Sequence, residues 1–270
     1  MPPAIGDLLK ALRTSHDQLA DIARRSDAAA LADPSYCRDW NRAQVLSHLG
    51  SGAEIGLNTL RAALDEAPEP DREEIWARWN ALSPTAMAEA FVESDDRYVA
   101  ALERLEPDRR ETLLVPFFLG PTPLAGVLTF RLHEHVLHNW DVRVSIDPQA
   151  TLLPEAVPLL LGLPPAIVRW AARPAEADLA GPVRLAITTT DPQRHYLLTV
   201  SGDQAELHDA DPAAADPAAG TGDTTGTLDL PAEAFLRLAA GRLTPDHTPP
   251  GTTANGQPGL DQLRSLFPGY

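Results

Sequence analysis

The stretch Arg131-Leu132-His133-Glu134-His135-Val136-Leu137-His138-Asn139-Trp140-Asp141 gathers three imidazoles and two carboxylates into little more than two turns of a helix. Side chains four apart on an α-helix stand one above the other, so Glu134 and His138 aim at one point, and Asp141 follows on the same face. Imidazole nitrogens and carboxylate oxygens are ligands for zinc and other divalent ions, and a catalytic zinc takes three protein ligands while keeping a position open. The third ligand must therefore come from another element. His48, in Trp40-Asn41-Arg42-Ala43-Gln44-Val45-Leu46-Ser47-His48-Leu49, is the candidate, a single histidine beside Val45 and Leu49 on a second apparent helix. The same spacings also suit plainer roles. A lone histidine beside an apolar stripe serves as a packed, hydrogen-bonded side chain, and an i, i+4 Glu/His pair stands solvated on many helices.

The elements that would position these groups follow from periodicity. Ile5, Leu8, Leu9, Leu12, His16, Leu19 and Ala23 recur at three and four, as an amphipathic helix requires. His16 falls on its inner face and is expected to be a packed or hydrogen-bonded histidine. A second helix opens at Asn41, a favoured N-cap, and carries Val45, Leu49, Ala53, Leu57, Leu60 and Leu64 on one side. The acidic run Glu66-Ala67-Pro68-Glu69-Pro70-Asp71 reads as a solvated loop, and Ile75, Trp76 and Trp79 as a short helix. Ser83-Pro84 is an N-cap followed by proline at the first helical position, opening a third long helix with Met87, Phe91, Ser94, Tyr98, Leu102 and Leu105 as its stripe.

Leu113 to Pro121 is apolar but holds two prolines and a glycine, which predicts a loop packed over the helices. Thr122-Pro123 repeats the cap-plus-proline signal for a fourth long helix through Val127, Phe130, Glu134, Leu137, His138 and Asp141 towards Ser145. Polar groups replace apolar ones on its inner face, and groups of that kind face a core only when paired or bound to metal. Four such helices predict an antiparallel bundle over residues 1–148, with facing helices supplying inward ligands.

Beyond Asp147-Pro148 the pattern changes to a small α+β domain over 149–270. A proline-rich helix is predicted over Leu153 to Ala172. Strands are predicted over Val183–Thr190, His195–Val200, Ala205–His208 and Thr225–Leu230, with a turn at Asp191-Pro192. Asp209 to Asp223 holds little that can be buried and reads as a mobile loop. A helix opens at Pro231, the segment from Thr244 to Pro258 is turn-rich, and Leu260, Leu263, Leu266 and Phe267 form a last helix.

Composition narrows the functional classes. The 270 residues are 44% hydrophobic and 22% charged, ordinary for a folded chain. A formal net charge of −16 argues against binding nucleic acid or an anionic membrane, since both are won through basic surface. Cys37 is the only cysteine, which excludes an intrachain disulfide and a thiolate zinc cluster. No apolar run reaches the length of a membrane span. The first residues lack a basic, apolar leader pattern, so a reducing cytoplasm is expected. A monomer or weak homodimer is compatible with the acidic surface.

Taken together, Trp40 through Leu49 and Arg131 through Asp141 resemble the mycothiol-dependent maleylpyruvate isomerase family, within the wider DinB-like metalloenzymes. The first element is a Trp followed by a helix start ending in His-Leu, here Trp40, His48 and Leu49. The second is Arg-x-x-Glu-x-x-x-His-x-Trp-Asp, here Arg131, Glu134, His138, Trp140 and Asp141. The resemblance implies a DinB-like four-helix bundle followed by a sterol-carrier-like α+β domain. It implies His48, Glu134 and His138 as ligands of zinc or another divalent metal, Asp141 as a partner of the ligands with a catalytic role, and mycothiol as thiol cosubstrate. From the second domain it implies an anion-binding, catalytic arginine, for which Arg242, ending Leu236-Arg237-Leu238-Ala239-Ala240-Gly241-Arg242, is the counterpart. His133 and His135 depart from the pattern and are expected at the surface, a place behind the metal ligands being the alternative.

The chemistry expected is activation of a low-molecular-weight thiol for addition to an electrophilic small molecule, giving S-transfer, thiol exchange or cis–trans isomerisation. Cys37, near the start of the second helix, is not expected to be the attacking thiol. Arg242, or Arg131 if it faces the cleft, would stabilise a developing enolate or a substrate carboxylate. Two other readings stay open: a zinc-hydroxide hydrolase with Asp141 or Glu134 orienting the water, and a non-catalytic carrier holding a hydrophobic ligand in the second domain.

Overall fold

Asn41 closes a reciprocal capping box with Gln44: its side chain accepts from the Gln44 amide at 2.8 Å, and the Gln44 side chain accepts from the Asn41 amide at 2.9 Å. The helix this starts, Arg42–Ala63, is one of four long ones in the computed structural model, which describes residues 3–69, 71–118, 120–211 and 224–269. In chain order the helices are α1 (Ile5–Arg25), α2 (Ala28–Ala32), α3 (Arg42–Ala63), α4 (Arg72–Asn80), α5 (Pro84–Arg104) and α6 (Pro107–Thr112). A hairpin of β1 (Leu114–Phe117) and β2 (Gly120–Pro123) then leads into α7 (Leu124–Val144).

The long helices pack in a ring: α1 against α5 and α7, and α3 against α5 and α7. Part of their shared core is Leu19, Val45, Leu46, Leu49, Met87, Phe91 and Val142, nearly all fully enclosed. Close approach between helices is permitted by missing side chains. A Cβ on Gly56 of α3 would stand 2.8 Å from the Tyr98 ring of α5. A Cβ on Gly52 would stand 3.0 Å from a guanidinium nitrogen of Arg131 on α7.

Two details of this half differ from the sequence reading. Within the segment predicted as a loop, Leu114–Phe117 and Gly120–Pro123 are paired strands, with Pro116 opposite Pro121 in a hairpin of only two strands, where an absent amide donor costs little. Thr122 also belongs to β2 and not to a helix cap. Its hydroxyl donates to the Gly120 carbonyl, Pro123 is the N-cap of α7, and no side chain caps that helix.

Contacts divide the chain into two compact units, Met1–Leu159 and Leu160–Tyr270. The first reaches past the expected boundary at 148–149 because α7 holds the following segment. Trp140 Nε1 donates to the Ala150 carbonyl at 2.8 Å, and Arg143 donates to the Thr151 carbonyl at 3.1 Å.

In place of one proline-rich helix over 153–172 there are two short ones, α8 (Val157–Leu160) and α9 (Pro164–Ala171). Pro164 and Pro165 cannot continue a helix from upstream but can open a new one. The second unit carries a five-stranded sheet in the order β5-β4-β3-β6-β7. Its strands are β3 (Val183–Thr190), β4 (Arg194–Ser201), β5 (Gln204–Asp209), β6 (Gly226–Pro231) and β7 (Thr253–Gly256). All neighbours are antiparallel except β3 and β6. The short, mostly exposed β7 lies in the segment predicted as turns, where no alternation of apolar residues marks it. Helices α10 (Ala232–Ala239) and α11 (Leu260–Leu266) complete the unit. Most of the predicted loop at 209–223 lies outside the described residues. Among the described residues, no helix is long and apolar enough to cross a membrane.

Candidate metal centre

Helix α7 is enclosed on most sides, and its buried residues include His133, His135, His138, Asn139 and Asp141 alongside Leu132, Val136 and Trp140. His133 and His135 were expected at the surface, and both are buried, at 1% and 0% exposure. The physical reason is that α7 meets α1, α3, α6 and both strands of the hairpin, so the flanks of its Glu134–His138 face have almost no water to turn towards.

Glu134 and His138, one turn apart on α7, meet His48 from α3. Glu134 Oε2 lies 3.5 Å from His48 Nε2 and 3.9 Å from His138 Nε2. One ligand atom from each of the three residues lies within 4.8 Å of the others. Trp40 stacks beside both imidazoles, its ring centroid 5.1 Å from His48 and 6.0 Å from His138. Burial alone would raise the Glu134 carboxyl. The His48 hydrogen bond and the fields of His138, His48 and His133 outweigh it and bring the group down to about 2.

Asp141 is fully buried and its Oδ2 takes a hydrogen bond from His138 Nδ1 at 2.8 Å. A carboxylate can only accept, so Nδ1 carries a proton and Nε2 is the nitrogen turned towards Glu134 and His48. A carboxylate behind a ligand histidine fixes ring and tautomer in metal sites. The Cys37 thiol donates to the same Oδ2 at 3.2 Å and lies 3.9 Å from His138 Nδ1. The Tyr36 amide donates to the Asp141 carbonyl at 3.0 Å, which ties the Cys37 segment to α7.

Two imidazole nitrogens and a carboxylate oxygen at these separations are a donor set of the kind that would hold a divalent ion. Cys37, His138 and Asp141 also stand close enough to be a ligand group, but there His138 would have to give up the Nδ1 proton held by Asp141.

A second buried cluster lies deeper in the bundle, around a residue the periodicity argument passed over. Asp95 of α5 is wholly enclosed and accepts from His16 at 2.8 Å, His135 at 2.9 Å and Arg131 at 2.6 Å. Burial opposes its charge, but His135, His16 and Arg131 together hold the carboxyl well below the ordinary range. Burial pushes the His135 imidazole down against the pull of Asp95. With Nε2 donating to Asp95, His135 Nδ1 accepts from Ser15 Oγ at 2.8 Å, and Asn139 donates to that same hydroxyl at 3.1 Å. The signal for Asp95 was present: it lies four residues after Phe91 and three before Tyr98, a charge set within an apolar stripe. Neither His16 nor His135 joins the His48, Glu134 and His138 group.

Arg131 passes from this cluster into a cleft of about 260 Å³ that also reaches His48 and Glu134. Ile55, Trp76, Val115, Phe117, Val127 and Phe130 give the cleft apolar walls, and Arg72 and Arg131 bring positive charge. Arg242 belongs to the second unit. It is buried there, its Nη1 donates to the Ala240 carbonyl at 2.9 Å, and its own carbonyl accepts from the buried Arg237.

Residues 12–143 match the family model described as the mycothiol maleylpyruvate isomerase N-terminal domain. No curated protein matches the chain. Among solved structures, a mycothiol-dependent maleylpyruvate isomerase is 18% identical with a TM-score of 0.62, the match covering 93% of each chain. A histidine-to-alanine mutant of that enzyme is likewise 18% identical at a TM-score of 0.60, with 93% of each chain covered. At that identity the likeness speaks for the fold alone, across nearly the whole length of the chain.

Proposed function

Because residues 12–143 belong to the mycothiol maleylpyruvate isomerase N-terminal domain family, we propose that this protein is an enzyme that uses a low-molecular-weight thiol, mycothiol, against an electrophilic small molecule. In this reading the first unit is a DinB-like bundle, the second a sterol-carrier-like domain, and His48, Glu134 and His138 hold zinc or another divalent metal. The observation that carries it is the meeting of those three donors, with Asp141 fixing the tautomer of His138, at the edge of an apolar cleft.

The metal would act as a Lewis acid that keeps a thiol deprotonated near neutral pH. The chain's own residues do the rest. Asp141 holds the His138 ring, and Trp40 covers the imidazoles on one side. The cleft walls exclude water from the electrophile. Attack of the thiol sulfur on an activated double bond forms a C–S bond and sends the π electrons to a carbonyl oxygen as an enolate. Protonation of that adduct gives a conjugate, whereas rotation and loss of the thiol return the alkene as its geometric isomer. Arg242 is the proposed cation for the enolate or a substrate carboxylate by resemblance to the family's second domain, and Arg131 is its rival by position at the cleft.

Turnover with and without thiol separates this from hydrolysis. Zinc-loaded protein should convert an activated enoic acid only when mycothiol is supplied. Equal turnover without thiol would sink the proposal.

A further inference from the structure

The cleft beside His48 and Glu134 has a composition that limits what can enter it. Its walls are largely apolar, and two of its aromatic side chains stand open to solvent at the rim, Trp76 at 42% and Phe118 at 70% exposure. Exposed large rings at the mouth of an apolar cleft are the surface that an apolar ligand covers. Phe117, Phe118 and Phe130 stack against one another, with centroids 4.6–5.7 Å apart, so that wall is built rather than incidental. The volume of about 260 Å³ is just below the ~300 Å³ at which drug-sized pockets begin. That volume accommodates one ring or a short branched chain.

One end of the cleft is cationic and prearranged. Arg131 Nη2 is committed, donating to Asp95 at 2.6 Å and to the Leu49 carbonyl at 2.9 Å. Nε is enclosed with no hydrogen-bond partner among the described residues. Nη1 is the nitrogen packed against Gly52, which itself lines the cleft. Asp95 thus holds the guanidinium by one corner while Nη1 lies beside Gly52 on the cleft wall, and Arg72 adds a second positive charge along that wall. A planar cation fixed in this way suits a carboxylate.

We propose that this cleft is an acceptor-substrate site for an unsaturated monoacid bearing a single apolar ring or short alkyl group. Its carboxylate lies on Arg131 and its apolar body lies between Phe117, Phe130 and Trp76. Arg131 is thereby a substrate-binding residue and Asp95 its positioning residue. The proposal rests on the functional reading above for the identity of the site, and it adds a substrate class that a small, doubly charged acid does not meet.

The test is calorimetric titration of zinc-loaded protein with three probes: trans-cinnamate, its neutral methyl ester, and maleate. Wild-type protein should bind cinnamate at least about tenfold more tightly than either the ester or maleate, the weight of one charge-assisted hydrogen bond or of one buried ring. Arg131→Gln should bring cinnamate down to the level of the ester and leave the ester unchanged. Phe130→Ala should weaken cinnamate and ester alike. Maleate binding as tightly as cinnamate, or the ester matching the acid on wild-type protein, overturns the proposal, and both comparisons hold even if Arg131→Gln does not fold. Titrating mycothiol into the same samples separates the two claims: thiol binding without cinnamate selectivity removes only the substrate class. Cinnamate selectivity without thiol binding removes the thiol reading and leaves the acid site.

Discussion

His138 Nδ1 lies 2.8 Å from Asp141 Oδ2, so the same ring turns its Nε2 to Glu134, 3.9 Å away. One carboxylate three residues downstream thereby decides which nitrogen turns towards Glu134. Asp141→Asn keeps the size of the side chain and removes its charge. It should lower zinc affinity by about 10- to 100-fold without removing a ligand. Competition with a chromogenic chelator measures this, and unchanged affinity would show that Asp141 does not support the site.

Asp95 carries three hydrogen-bonded partners in a space that excludes water. Asp95→Ala leaves Arg131 without its counter-charge in a largely buried position and should cost about 3–5 kcal/mol of stability. Urea unfolding of the metal-free protein should show a lower midpoint at similar slope. A loss under 1 kcal/mol, the scale of an exposed pair, would mean the cluster is relaxed in solution.

Acid should unfold the metal-free protein through two carboxyls. Glu134 is lowered from 4.5 to about 2, and Asp95 is held well below 3.8. A carboxyl with a lowered folded-state value binds protons more readily when unfolded. Its stabilisation is therefore full above the unfolded value and is lost as pH falls through the folded one. For Glu134 that window runs from 4.5 down to about 2. Unfolding free energy measured across it should fall with pH, and Glu134→Gln should flatten the slope. An equally steep slope in that variant would contradict the assignment.

Much of this arrangement was legible in the sequence because helices translate spacing into direction. Glu134 and His138 are one turn apart, and the Asn41 cap fixes where α3 begins and hence where His48 points. The polar residues on the inner face of α7 were likewise visible as a break in hydrophobic patterning. What escaped depends on tertiary enclosure. His133 and His135 lie at the flanks of that face, and whether flanks meet water or protein is decided by how many neighbours surround the helix, which periodicity does not encode. Asp95 is missed because the stripe from Phe91 to Tyr98 is traced through its polar neighbour Ser94, one position earlier. The hairpin at 114–123 was hidden by Pro116 and Pro121, which weaken a strand signal without forbidding a two-stranded pair.

Cys37 sits beside Asp141 as a hydrogen-bond donor, its sulfur 3.9 Å from His138 Nδ1. Cys37→Ser keeps a donor there. It should retain thiol-dependent turnover to within about threefold, a change below 1 kcal/mol. Loss of turnover on that substitution, with zinc content preserved, would make Cys37 the nucleophile and displace the external thiol.

The central claim is a three-ligand metal whose fourth position takes an external sulfur. X-ray absorption at the zinc edge, on loaded protein with and without mycothiol, tests it directly. The account predicts nitrogen and oxygen neighbours alone in the thiol-free sample, at about 2.0–2.2 Å, and one sulfur at about 2.3 Å once mycothiol is added. A sulfur already present without mycothiol would place Cys37 on the metal, and no sulfur in its presence would mean that the thiol does not bind there; either result contradicts the account.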